Sequence, residues 1–264
     1  KFLQKSNRIS TKPFFLINYL IDKNINYNMF FDLNIKGSSL ENNIKLANEA
    51  SFYGWNHINF SYNTNDFLNA VDFKNDLENS LDGIIEFNYT LEIKSSNIND
   101  IQKSVNKFRK KASCISVVGG DLKVNRSTLE NIKVDVLSRP YLRRYDSGLN
   151  HVLAKEAVKN NVAIELCFKD VLKSYLSHRS KVISNFKDIY TLYRKFDFPL
   201  VLSSRAESVF DIRTTHDFVA FFKQTGLTDA EINKSFETSS NILEYNKNRE
   251  DLILKGVRRV RDEA

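Results

Sequence analysis

The chain has 264 residues, of which 42% are hydrophobic and 27% charged, with a formal net charge of +7. That length can bury a sizeable core, which excludes a disordered chain and leaves one large domain or two small ones. Its two cysteines, Cys114 and Cys167, lie inside apolar runs and read as small buried hydrophobes, which excludes a disulfide scaffold and points to a reducing, cytoplasmic setting.

Residues 1–28 carry Lys1, Lys5, Arg8, Lys12 and Lys23 against Asp22 alone, a net +4, and they lack the pattern that follows. The sole methionine, Met29, stands directly ahead of the first strand pattern. The expectation is a natural start at Met29, with 1–28 an upstream extension holding at most a short helix around residues 14–21. The alternative is an N-terminal element packed over one end of a single domain spanning 29–264. The apolar run 14–17 breaks at Asn18, far short of the about 18 residues of a membrane span, so no membrane partner is expected.

From Met29 onward, short β-branched or aromatic runs alternate with longer amphipathic ones. The strands expected are Met29–Leu33, His57–Phe60, Gly83–Tyr89, Cys114–Val118, Val134–Leu137, Val162–Cys167 and Leu200–Leu202. Leu40, Ile44, Ala47 and Ala50 line one face of a helix capped by Ser38 or Ser39. Ile98, Ile101, Val105 and Phe108 line another. Leu149, Val152, Leu153 and Ala157 follow Asp146-Ser147-Gly148, whose oxygens offer a cap, so a helix is expected over Asp146–Asn161. With only three prolines and no Gly/Ser-rich linker, nothing divides the chain. Repeated βα units of this total length suit an α/β, TIM-like (β/α) barrel of about seven parallel strands, and an open doubly wound sheet is the runner-up. No Gly-x-Gly-x-x-Gly is present, and Gly119-Gly120 alone is not a phosphate loop.

Barrels carry function where strands end, and the residues there are polar and basic: Asp32, Asn34, Asn63, Asn88, Asp121, Ser138-Arg139, Lys169-Asp170 and Ser203-Ser204-Arg205. Asp32-Leu33-Asn34-Ile35-Lys36 resembles the Asp-x-His-x-His motif of the polymerase-and-histidinol-phosphatase class of barrel phosphoesterases, with Asn34 and Lys36 standing in for both imidazoles. An amide and an ammonium cannot replace two metal-binding imidazoles. The four histidines are scattered, Ser203-Ser204 lacks a nucleophile elbow, and Cys167 lies within a strand pattern, so no catalytic residue and no metal site is assigned.

Residues 139–213 hold fourteen Lys and Arg against eight Asp and Glu, a net +6, while the rest of 29–264 sums to −3. This is the expected face for a polyanion, and solvated helix faces are the plain alternative. Arg139, Arg143, Arg144, Arg179, Arg205 and Arg213 are the expected phosphate-binding residues of that face, because a guanidinium fork binds two phosphate oxygens and keeps its charge. Surface ion pairing is the alternative for each, with Asp146 a ready partner for Arg143 or Arg144.

The stretch Met29-Phe30-Phe31-Asp32-Leu33-Asn34-Ile35 resembles the p30-type protein subunit of archaeal and eukaryotic ribonuclease P, called protein component 3 in archaea. Residues 146–155, Asn160-Asn161-Val162-Ala163-Ile164-Glu165, residues 203–208 and Asp211-Ile212-Arg213 share the likeness in order and spacing. The resemblance implies a barrel related to metal-dependent phosphoesterases but without their metal site. It implies a protein subunit of the RNA-based endonuclease that removes the 5′ leader from precursor tRNA. The partners implied are ribonuclease P RNA, precursor tRNA met through the complex, protein component 2 and other protein subunits. No cofactor is then bound by the protein, and Mg2+ is expected on the RNA. A degenerate barrel phosphoesterase acting alone is the alternative.

Overall fold

The computed structural model describes residues 29–249, with 252–254 and 257–258; the expected extension over 1–28 lies outside the described residues. Seven short apolar runs become seven parallel strands in strict chain order: β1 (Phe31–Lys36), β2 (His57–Tyr62), β3 (Glu86–Ile93), β4 (Cys114–Val118), β5 (Val136–Ser138), β6 (Ala163–Cys167) and β7 (Leu200–Ser203). Between them run α1 (Leu40–Phe52), α2 (Phe67–Asp72), α3 (Lys74–Leu81), α4 (Ile98–Phe108), α5 (Leu122–Leu129), α6 (His151–Asn160), α7 (Phe168–Leu172) and α8 (Leu176–Phe196). After β7 come α9 (Thr215–Thr225) and α10 (Asp229–Lys247), followed by a small antiparallel pair, β8 (Leu252–Leu254) and β9 (Val257–Arg258). The arrangement is the expected barrel, not the open sheet.

Alternation along each strand separates two surfaces. Asn34 of β1 donates to Glu165 of β6 at 3.1 Å, and Lys36 of β1 meets Glu92 of β3 at 2.6 Å. Side chains reach past neighbouring strands in this way only inside a barrel, so this parity faces the lumen. The lumen is polar, with Ser61, Thr90, Ser116, Ser138 and Ser203 all buried. The opposite parity, including Ile58, Phe60, Leu91, Ile115, Ile164 and Leu202, is buried under the helices.

Several boundaries differ from the sequence reading. The third strand starts at Glu86, not Gly83, because Gly83 adopts a left-handed φ of 68° and Ile84 N–H closes a turn on Leu81. The fifth starts at Val136, because Val134 N–H closes a turn on Asn131 C=O at 3.0 Å. The sixth helix starts at His151, not Asp146. Asp146 binds Arg144 and accepts from Gly148 N–H, while Asn150 caps Val152 and Leu153. Its packed face is therefore Leu153, Ala154 and Ala157, and Val152 points to solvent.

The sheet does not close by backbone pairing between β7 and β1. A side chain spans that seam instead: both oxygens of the buried Asp32 carboxylate accept from Ser204 N–H, at 3.2 and 3.1 Å, and one accepts from Asn34 N–H at 3.0 Å. Above it, Lys36 N–H donates to Ala206 C=O at 2.7 Å. The β1 register shifts between Asp32 and Ile35, a bulge that gives the carboxylate its sideways aim. Burial drives the Asp32 pKa up to about 6 against the pull of the Ser204 and Asn34 donors.

The last helix lies across the N-terminal end of the barrel. It packs on β1, β4 and β7, sets Phe236 against Phe30 at 5.3 Å, and donates from Asn246 to Ser113 C=O just ahead of β4. Arg109 ties that end down, reaching Asp135 and Asn246 together.

Two outcomes are expected. Leu153→Asp places a carboxylate in the α6 face at a cost of several kcal/mol and leaves the domain insoluble or unfolded; a wild-type melting temperature would refute the face assignment. Asp32 titrates higher folded than its ordinary 3.8, so its contribution favours the fold below that value and is lost as pH rises through about 6. Urea unfolding should show wild type gaining about 2 kcal/mol of stability relative to Asp32→Asn from pH 7 to pH 4, and a difference constant with pH would refute it.

Candidate functional site

The loops that follow the strands meet at the C-terminal mouth, where ionised side chains interlock. Lys36 at the end of β1 pairs with Glu92 at 2.6 Å, and Arg205, just past β7, lies 3.8 Å from the same carboxylate. Arg205 turns back to Glu207 at 3.1 Å. The buried Lys169 ammonium on α7 joins Glu207 at 2.8 Å to Asp211 at 2.9 Å. On the other flank Arg139, after β5, pairs with Asp170 of α7 at 3.3 Å. Tyr141 donates to Asp170 at 2.8 Å and accepts from Cys167 N–H at 3.2 Å. Three loops are thereby fastened to one another through α7. Burial alone would raise the Glu92 carboxyl, but Lys36 and Arg205 outweigh it and hold the group below its usual range. Lys36 is pushed down by burial and by Arg205, against the pull of Glu92.

The two positions that would supply imidazoles in a barrel phosphoesterase are consumed by this network, Asn34 on Glu165 and Lys36 on Glu92. Among the described residues no group of three or more His, Cys, Asp and Glu side chains is placed to hold a metal ion. The side chains present therefore do not fit a multinuclear metal centre. Burial raises the Cys167 thiol well above its ordinary value, which keeps it an unreactive thiol between Ser138 and Ser203. A cavity of about 1210 Å3 lies at the opposite, N-terminal end, beside His57, Glu86, Asn88 and Leu243. His57 is buried there, held by Glu86 and Asn88 and stacked on Phe31.

The six arginines divide by environment. Arg139 is only 7% exposed and pairs with Asp170, and Arg144 grips the exposed Asp146 and Gly120 C=O, so both guanidinium groups have partners within the chain. Arg205 is half-buried in the ion network, and Arg213, also half-buried, donates to Phe210 C=O at 2.7 Å and Ile212 C=O at 2.9 Å. Arg143 is exposed and makes no side-chain hydrogen bond or ion pair among the described residues. Arg179, in the first turn of α8, is exposed, donates to Ser174 C=O and lies 5.8 Å from the Tyr175 ring. The barrel thus gathers five of them in or beside the three fastened loops, and Arg213 sits where the last loop descends to Trp55. Arg139, Arg143, Leu176 and Arg205 all adopt left-handed φ between 47° and 58°, a conformation uncommon for non-glycine residues and concentrated at this rim. Sequence reasoning missed Lys169 as the buried hub and missed the exposed rings of Tyr145, Tyr175 and Phe210. An aromatic in a polar loop was the available signal for the rings.

A family profile described as RNase P subunit p30 matches residues 29–251. The chain is 43% identical over 234 residues to ribonuclease P protein component 3 of Methanothermobacter thermautotrophicus, covering 87% of this chain and 94% of that protein. It is 35% identical to its counterpart in Methanococcus maripaludis strain C5, covering 78% and 87%. A cryo-EM structure of archaeal ribonuclease P with mature tRNA contains a chain that superposes with a TM-score of 0.73 at 31% identity, over 89% of this chain and 99% of that one. Histidinol phosphate phosphatase of Lactococcus lactis superposes with a TM-score of 0.52 at 10% identity, over 76% and 95%, which marks the shared barrel alone. The ordered strands, the mouth without metal ligands and these likenesses agree: the chain belongs to the RNase P subunit p30 family.

Proposed function

We propose that this chain is a protein subunit of ribonuclease P, the RNA-based endonuclease that removes the 5′ leader from precursor tRNA, and that it binds and supports the catalytic RNA. The observation that carries this reading is the ion network at the C-terminal mouth. Lys36, Glu92, Arg205 and Lys169 fill the place where a barrel enzyme keeps its reacting groups, so the chain offers a shaped, basic surface in place of a reaction centre. Cleavage then belongs to the RNA and its Mg2+ ions, and the protein neutralises phosphates and holds the RNA's active fold. Protein component 2 and the other subunits are its protein partners, and the cytoplasm is its setting. No described helix is long and apolar enough to cross a membrane.

Within that role the arginines serve two tasks. Arg143 and Arg179, both exposed, are the arginines proposed to meet phosphates directly, and the half-buried Arg205 and Arg213 flank them. Arg139 and Arg144 act inward and fix the loop that presents Arg143.

The isolated chain should cleave neither precursor tRNA nor phosphomonoesters, and processing should appear once cognate RNA and partner subunits are added. Turnover of an activated phosphate ester by the chain alone, abolished by Asp32→Ala, would revive the free-standing phosphoesterase. Arg143→Ala should lower the magnitude of the salt slope of RNA binding by about one unit and leave the melting temperature unchanged. Arg139→Ala should instead strand Asp170 beside the buried Tyr141 and destabilise the fold by about 3 kcal/mol. Arg139→Ala with wild-type stability and a reduced salt slope would reverse that division.

A further inference from the structure

We propose that the rim of the C-terminal mouth stacks unpaired RNA bases on Tyr145, Tyr175 and Phe210, while Arg143 and Arg179 hold the adjoining phosphates. This rests on the ribonuclease P reading above and adds to it the kind of RNA the rim takes: single-stranded, with its base faces free.

Each of the three fastened loops lifts one ring into solvent. Tyr145, after β5, is 92% exposed; Tyr175, between α7 and α8, is 74% exposed; Phe210, after β7, is 85% exposed. Folding gains nothing from presenting large apolar rings to water, and the barrel's own core is complete without them. Their loops are not loose. Asp170 holds Arg139 and Tyr141, and Lys169 holds Glu207 and Asp211, so the rings stand on loops fixed by ion pairs. Such fixing limits the entropy lost when a partner binds.

Charge selects nucleic acid over protein. The carboxylates around the rings are already spent: Asp146 on Arg144, Asp170 on Arg139, and Glu207 and Asp211 on Lys169. Arg143 keeps its charge in the open, and Arg179 lies over the Tyr175 ring at 5.8 Å, a cation beside an aromatic face. Rings spaced singly among guanidinium groups match alternating bases and phosphates. A protein hot spot would call for contiguous apolar surface, whereas these rings stand one to a loop, with Leu176 beside Tyr175 also exposed. An A-form duplex hides its base faces within the stack and offers these rings nothing to cover.

The test is equilibrium binding by the purified full chain of a labelled oligoadenylate and of an RNA duplex of the same length, followed by anisotropy at fixed salt. Two triple variants accompany wild type: Tyr145→Phe, Tyr175→Phe and Phe210→Tyr, which keeps the rings, and Tyr145→Leu, Tyr175→Leu and Phe210→Leu, which keeps apolar bulk without them. Wild type and the ring-keeping variant should bind the single strand within about two-fold of each other and more tightly than the duplex, while the leucine variant should lose about ten-fold or more at an unchanged melting temperature. No measurable binding of the single strand by wild type, equal affinity for strand and duplex, or a leucine variant that binds like wild type overturns the proposal. So does a leucine variant that keeps RNA affinity but no longer retains a protein subunit, which would make the rim a protein-docking face. A chain that binds single strands through its rings yet restores no processing with cognate RNA supports the stacking site and overturns the ribonuclease P reading instead.

Discussion

A barrel of parallel strands must join its last strand to its first, and here that joint is a carboxylate. Asp32 takes Ser204 N–H on both oxygens where β7 and β1 exchange no ladder bonds, and the Lys36 amide adds one backbone bond to Ala206 above it. Everything at the C-terminal mouth hangs from this joint. Ser204 is the residue before Arg205, and Asp32 and Asn34 stand on the bulge that aims Lys36 inward at Glu92. A seam pinned by a side chain fixes where β7 releases its loop, and so fixes where Glu207 and Asp211 meet Lys169.

The resulting network explains how a fold shared with metal-dependent phosphatases can serve without metal ligands. The lumen keeps small polar residues, and its Glu92 is matched by Lys36 of β1 and by Arg205 of the loop after β7, while Arg139, just past β5, pairs with Asp170 at the mouth. Buried charges left unmatched would cost several kcal/mol each, so the lattice holds only as a whole. Its effect is rigidity at the rim. Mobile long loops would be the ordinary outcome at a barrel mouth, but here the segments after β5, β6 and β7 are cross-tied through α7.

Much of this was readable in the sequence because period and capping chemistry are local. Cys114–Val118 appears as a strand residue for residue, and Ser39 and Asn97 cap the helices whose apolar stripes announce them. The boundaries that moved are those decided by turns and by competing side chains that period alone does not reveal. Asp146 looks like a helix cap until Arg144 takes its carboxylate, and Val134 looks like a strand until its N–H turns back on Asn131 C=O. The arginines illustrate the same limit at the rim. A stretch with a net charge of +6 over residues 139–213 is visible in the sequence, but only the fold distinguishes Arg139, turned inward to Asp170, from Arg143, four residues later and open to solvent.

Laying α10 across the N-terminal end has a consequence for how the chain becomes a barrel. Three of the groups it meets, Ser113, Arg109 and Phe30, belong to the first half of the sequence, whereas Asn246 and Phe236 come at least a hundred residues later. These contacts have high sequence separation and cannot form while the early strands are being synthesised. The bottom of the barrel stays incompletely covered, with the Phe30 ring lacking its Phe236 partner, until α10 arrives. Completion of the fold is thus a late event governed by one helix, and the nascent protein has an interval in which a chaperone would find its apolar floor exposed.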